Sequence, residues 1–281
     1  MKKNLFFSII VLLCCFSFNL NAAIEVGVTI PPQQEPVLAV MGTNVQVRVL
    51  MDGNQNPHFF RPSAKRLSEI AGCDLYFTIG FPGEENVEKK FSAIGKPRLV
   101  SMQEEGLAHN HGESGHNHHA CGVGIDTHYW TSPLKLKEFA HVVYEQACEL
   151  MPSEKEYFKQ NLENYEQRCD KVLAEGRAAI KAAGVEHILT YHPALGNYAS
   201  AMGITQLPIE KDGRAPTLGV VARVVTEARN HGIKKLFVQN SGELAQSKVI
   251  LERLGAIAIE IHILSSEPLA LIEQITSALT N

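Results

Sequence analysis

Three histidines, His58, His128 and His192, fall where runs of strand-forming residues give way to turns. His58 follows Asn56-Pro57, His128 sits in Asp126-Thr127-His128-Tyr129-Trp130, and His192 closes Ile188-Leu189-Thr190-Tyr191. A neutral imidazole ligates zinc at about 2.0–2.1 Å, and three of them leave a fourth position open on a tetrahedral ion. Segments this far apart make such a site only if the fold carries them to one place. Taken singly, a histidine in such a position is more often structural or exposed than a ligand. A second concentration of imidazoles, His109, His111, His116, His118 and His119, lies within 108–124 and holds five of the twelve histidines. Gly, Asn and Ser fill most of the rest of that stretch, which cannot build a core and is expected to be a mobile surface loop.

The elements that must position these residues read as an alternation of strands and helices. Strands are predicted at 24–30, 45–51, 75–79, 187–190, 236–238 and 256–264 from alternating or continuous apolar runs bounded by Gly, Pro and Asn. Helices are predicted at 63–71, with Ser63 as N-cap, and at 133–150, 195–202, 218–231, 244–254 and 269–280. The longest starts at Pro152-Ser153-Glu154, with Ser153 as cap, and runs without an internal proline to Gly184. At about 1.5 Å per residue it is long enough to connect two bodies. The expected fold class is α/β: two lobes with parallel sheets flanked by helices, joined by one long linking helix. The divisions are 24–152 for the first lobe, 153–184 for the linking helix and 185–281 for the second lobe. Ligands of such folds bind beyond the carboxyl ends of the strands, where all three histidines are predicted to lie.

Residues 1–23 have the anatomy of a secretory signal peptide: Lys2-Lys3, an apolar run over 5–18, then Asn21-Ala22-Ala23. An extracytoplasmic or periplasmic location is expected, with cleavage after Ala22 or Ala23. The whole chain has 45% apolar and 20% charged residues, an ordinary globular mixture. Loss of Lys2 and Lys3 leaves 24 basic against 30 acidic residues, a net charge of −6 that disfavours nucleic acid as a partner. No Cys-x-x-Cys pair occurs. Cys148 and Cys169, on helices joined by a short turn, are placed where a disulfide is an open possibility.

Three motifs then carry a resemblance. Asn56-Pro57-His58-Phe59-Phe60-Arg61-Pro62-Ser63, Asp126-Thr127-His128-Tyr129-Trp130-Thr131-Ser132-Pro133 and His192-Pro193-Ala194-Leu195-Gly196-Asn197-Tyr198 resemble, in order and spacing, the three ligand motifs of the cluster A-I solute-binding proteins. The resemblance covers essentially the whole chain after residue 23. It implies a class III periplasmic-binding-protein-like fold with a rigid linking helix. It also implies zinc held by His58, His128 and His192, and delivery as a monomer to the transmembrane subunit of an ABC permease with its ATPase. His192, where manganese-binding members usually present a carboxylate, favours zinc. The His-rich segment matches an insertion common in zinc-binding members and is an auxiliary metal site on that reading. Trp130 is expected to be a packing anchor beneath the site.

The pattern is broken in places. No acidic residue precedes His58, Pro193 replaces an Asp, and Gln239 stands where Glu is common, so carboxylates that might ligate or orient the imidazoles are missing there. The fourth ligand is left among water, a loop histidine and His262, for which a structural role weighs more. His141, His187 and His231 read as surface or half-buried residues. The competing readings are a manganese or iron carrier of the same family and an exported zinc hydrolase. The latter lacks a His-Glu-x-x-His motif or comparable general base, and the chain is expected not to be an enzyme.

Overall fold

The computed structural model describes residues 24–51, 53, 62–80, 84–102, 126–210 and 216–281. His58, the loop histidines His109, His111, His116, His118 and His119, Cys121 and the predicted signal segment lie outside the described residues.

Among the described residues the chain forms two four-stranded sheets in which every pairing is parallel. The first contains β1 (Ile24–Val28), β2 (Val45–Val49), β3 (Leu75–Phe77) and β4 (Arg98–Val100) in the order β2-β1-β3-β4, with Val26 level with Val47 and Leu75. The second contains β5 (His187–Thr190), β6 (Thr205–Pro208), β7 (Lys235–Val238) and β8 (Ile257–Glu260) in the order β6-β5-β7-β8. Parallel neighbours require crossovers. Helices α1 (Gln34–Met41), α2 (Ala64–Ala71) and α3 (Glu85–Ile94) serve the first sheet. Helices α6 (Gly196–Met202), α7 (Leu218–Asn230) and α8 (Ser241–Leu254) serve the second. Between the sheets run α4 (Pro133–Leu150) and α5 (Lys155–Ala183), and α9 (Pro268–Thr280) closes the chain against α5. No helix among the described residues is long and apolar enough to cross a membrane.

Helix α5 is the expected linking helix, 29 residues or about 44 Å long. Its start differs from the expectation: Pro152–Glu154 form a 3-10 turn, Glu154 takes the cap position, and no side chain caps the helix. It ends at Gly184, whose φ of 65° a side chain would strain, with the Gly184 N–H on the carbonyls of Ile180 and Lys181. Phe158, Leu162 and Tyr165 bury its inner face, the first two each worth about 1.5–3 kcal/mol. One continuous core runs from the first sheet through α4, α5 and α9 to Ile188 and Phe237 on the second sheet. A smaller core, including Leu189, Val224 and Leu236, lies on that sheet's other face under α7 and α8.

Cys148 is half-buried on α4 and Cys169 is buried on α5, and both are free thiols, so the disulfide left open by the sequence is not made. Burial pushes the Cys169 thiol up to about 12, which keeps it a poor nucleophile.

At the carboxyl ends of β1 and β3 lies a buried polar cluster. Glu84 is fully buried, and its carboxylate accepts from Ile79 N (2.9 Å), Gly80 N (2.8 Å) and the Thr29 hydroxyl. Gln33, also fully buried, accepts from Thr29 N and donates to the Thr78 carbonyl (3.0 Å) and the Tyr129 hydroxyl (2.9 Å). The cluster satisfies backbone groups that the sheet leaves behind as its strands end.

At the opposite, amino end of the second sheet, His187 and His231 stack with ring centroids 3.7 Å apart. Burial and the neighbouring His231 hold His187 below the ordinary imidazole value of 6.5, against the opposing pull of Glu186 and Glu227. A depressed histidine contributes stability that is present above that value and is lost as pH falls through it, because the unfolded chain takes up the proton first. The expected result is a drop in melting temperature between about pH 7.5 and 5.5 that is smaller in His231→Gln than in wild type. Equal drops in calorimetric scans of the two proteins refute it.

Candidate metal centre

In the second sheet the strand order reverses between β5 and β7, so connections leave their carboxyl ends in opposite directions and open a crevice. His192 stands there. Tyr191 still donates its N–H to Phe237 O at 2.9 Å, and two residues after β5 the chain has turned toward α6, with Ala194 N on the His192 carbonyl. Strand β6 continues past Pro208 so that Glu210 N reaches Tyr191 O at 2.8 Å, which brings the Glu210 side chain beside His192. Glu210 Oε1 lies 3.2 Å from His192 Nδ1.

His128 comes from the segment before α4. Asp126 folds back on it, with Oδ1 accepting both the His128 backbone N–H and Nδ1, each at 2.9 Å. This is the turn Asp makes with the backbone two residues on. On the other side a 3-10 turn, Tyr129–Thr131, begins at once, and the His128 carbonyl accepts from Thr131 N and Oγ1. Trp130 is buried as expected. Its indole N–H donates to Ile263 O at 2.8 Å, and its ring centroid lies 5.2 Å from that of His128. Tyr129 is held by Gln33, so the His128 segment is tied to the turn that follows β1 and to the turn that follows β8.

The two imidazoles meet edge to face with centroids 5.5 Å apart, and are 5% and 8% exposed. Two rings sharing one zinc at about 2.1 Å and a roughly tetrahedral angle put their centroids about 5 Å apart, so this pair fits a common ion. A carboxylate has no proton to give, so each Nδ1 carries the hydrogen and each Nε2 keeps the lone pair a metal needs. Glu243, in the first turn of α8, accepts from Gln239 N at 2.8 Å. Burial pushes its carboxyl above the ordinary range, opposed by the Gln239 N–H and by His192, while Glu210 adds to the rise.

The structure thus brings together two of the three predicted ligands. The third, His58, and the loop histidines lie outside the described residues, and among the described residues no three His, Cys, Asp or Glu side chains converge as a metal cage. His262 is exposed and lies beyond the end of β8, not on the strand predicted over 256–264; its carbonyl accepts from Ser265 N. His141 is exposed on α4 and pairs with Glu166. The carboxylates that hold the two imidazoles are Asp126, part of the second motif, and Glu210, which was not singled out in the sequence. Its signal, a Glu two residues beyond an edge strand, is readable only once β6 is known.

The model of the family described as zinc-uptake complex component A, periplasmic, matches residues 26–278. The chain belongs to that family. As a member of the zinc-uptake component A family it is similar to the zinc-binding protein AdcA of Streptococcus pyogenes serotype M3, 22% identical over 290 residues that cover 91% of this chain and 55% of that protein. It is also similar to the high-affinity zinc uptake system protein ZnuA of Bacillus subtilis strain 168, 25% identical over 235 residues, covering 80% of this chain and 73% of the relative. The chain spans about half the length of the streptococcal relatives it matches. Among solved structures, a crystal structure of ZnuA superposes with a TM-score of 0.81 at 22% identity, covering 92% of this chain and 98% of the other. The fold of two parallel-sheet lobes joined by a long helix, expected from the sequence, is therefore the one observed in this member of the zinc-uptake component A family.

Proposed function

We propose that this chain captures zinc outside the cytoplasm with His58, His128 and His192 and delivers it to the transmembrane subunit of an ABC permease, whose ATPase drives release. The observation that carries the reading is the pair of buried imidazoles 5.5 Å apart, each with Nδ1 held by its own carboxylate. The family and the names of the relatives support zinc as the cargo. Three imidazoles suit zinc better than manganese, which favours oxygen donors. Asp126 and Glu210 supply compensating charge and hold the rings in the ligating tautomer, so little has to be reorganised when the hydrated ion sheds its waters. Protons compete with zinc for Nε2, so acidification weakens capture. His109, His111, His116, His118 and His119 act in this reading as an auxiliary site that gathers metal. The function is binding and delivery without a catalysed reaction.

The test is calorimetric titration of metal-stripped protein with zinc and, separately, manganese. It uses wild type, the His58→Ala/His128→Ala/His192→Ala variant and a variant lacking 109–119. One tight zinc site that survives loop deletion and vanishes in the triple variant is the expected result. Tight binding that depends on the loop alone, or manganese bound more tightly than zinc, overturns it.

The hydrogen bond to His192 makes a further expectation. Glu210→Ala weakens zinc binding about 10–100-fold, as loss of a ligand's orienting partner does. Glu210→Gln, whose amide oxygen still accepts from Nδ1–H, loses less. Competition against a chelator of known affinity measures both, and equal losses in the two variants count against an orienting role.

A further inference from the structure

Asp126 also touches the other half of the site. Its Oδ1 holds His128, and its Oδ2 lies over the first residue of α6, where a Cβ on Gly196 would stand 2.6 Å from Oδ2 and 3.7 Å from Cγ. No carbon approaches a carboxylate oxygen that closely, so a side chain at Gly196 displaces Asp126. Gly196 does not have the left-handed backbone seen at Gly184 and Gly203, so its conformation does not call for glycine. Space does. Four residues earlier in the chain is His192, whose ring meets that of His128. A small shift of Asp126 therefore acts on the spot where the two imidazoles come together.

We propose that Gly196 is a positioning residue for metal capture: its missing side chain seats the Asp126 carboxylate, which in turn sets the orientation of His128. The inference rests on the proposed zinc function. Asp126 belongs to the segment leading into α4 and Gly196 to the segment leading out of β5, so this clearance sets how closely the two ligand-bearing segments approach. A methyl group at 196 moves the carboxylate off Nδ1, the imidazole loses the partner that fixes its tautomer, and the site meets zinc with one ring free to turn.

The experiment is a double-mutant cycle on zinc affinity, read by chelator competition, with the melting temperature of each metal-free protein as control. Gly196→Ala is expected to weaken zinc by about 10-fold or more, within the range for groups that orient a ligand. In an Asp126→Ala background the same substitution changes affinity by less than about 3-fold, because the group it acts through is gone. Loss of equal size in both backgrounds, or none in either, overturns the proposal. Asp126→Ala/Gly196→Ala opens the space the methyl group needs, and so remains informative where the single variant does not fold. An affinity well below that of Asp126→Ala alone shows Gly196 acting independently and is again fatal. Wild-type protein that binds no zinc overturns the proposed function itself, whereas wild type that binds zinc no more tightly than Gly196→Ala overturns only the role of Gly196.

Discussion

His192→Ala is expected to weaken zinc binding by more than about 100-fold, beyond the 10–100-fold cost of losing an orienting partner, because a ligand itself is removed. The same substitution leaves the metal-free fold nearly intact. His192 is buried in a crevice and not in either apolar core, and giving up its hydrogen bond to the Glu210 carboxylate costs about 2 kcal/mol or several degrees of melting temperature. His128→Ala is expected to behave alike in affinity. It costs more stability, because its ring packs 5.2 Å from Trp130 and bonds to Asp126. His262→Ala and His141→Ala, both at exposed positions, serve as controls with unchanged affinity. Chelator competition and thermal melts on the same preparations separate the two effects. A His192→Ala protein that holds zinc within a few-fold of wild type removes His192 from the ligand set.

Glu84→Ala has its largest effect on folding. Removing this carboxylate takes the acceptor from the buried N–H of Ile79 and the part-buried N–H of Gly80, while the Thr29 hydroxyl keeps the Tyr76 hydroxyl and the Phe77 carbonyl as partners. At about 1–3 kcal/mol for each buried donor left unsatisfied, the loss is roughly 4 kcal/mol, or about 10 °C in melting temperature. Glu84→Gln keeps one oxygen but turns an amide N–H₂ toward a backbone N–H, and is expected to fall between wild type and Glu84→Ala. Urea unfolding followed by circular dichroism gives the numbers. A loss below about 1 kcal/mol for Glu84→Ala shows that the cluster is dispensable to the sheet it terminates.

How much of this was legible in advance depended on burial. Ile188-Leu189 and Leu236-Phe237-Val238 are apolar runs buried inside a parallel sheet, and β5 and β7 stand where those runs predict. Strand β6, Thr205–Pro208, is an edge strand of four residues ending in proline and carries no periodic signal. Without it Glu210 has no position, and so half of the carboxylate arrangement was invisible. Helix α1 was hidden by prolines that read as stops. Pro31 and Pro32 form a 3-10 turn, and Pro36 occupies the first turn of the helix, where a missing N–H costs nothing. The strand predicted over 256–264 is too long because the stretch is apolar apart from Glu260 and His262, yet the chain leaves the sheet after Glu260 and presents the Ile263 carbonyl to Trp130. Asp126 was legible as part of a motif, but its bond to His128 depends on a backbone fold that only coordinates reveal.

Trp130 is the single tryptophan of the chain. It is 1% exposed, and its indole N–H is fixed on the Ile263 carbonyl beyond the last strand of the second sheet while its ring lies against that of His128. The tryptophan emission of the unlabelled protein therefore arises at one address, beside the candidate metal centre and across the junction of the two halves. A wavelength shift on adding a closed-shell ion such as zinc reads the indole's surroundings, and quenching by a paramagnetic substitute reads proximity, with no second fluorophore of its kind to subtract.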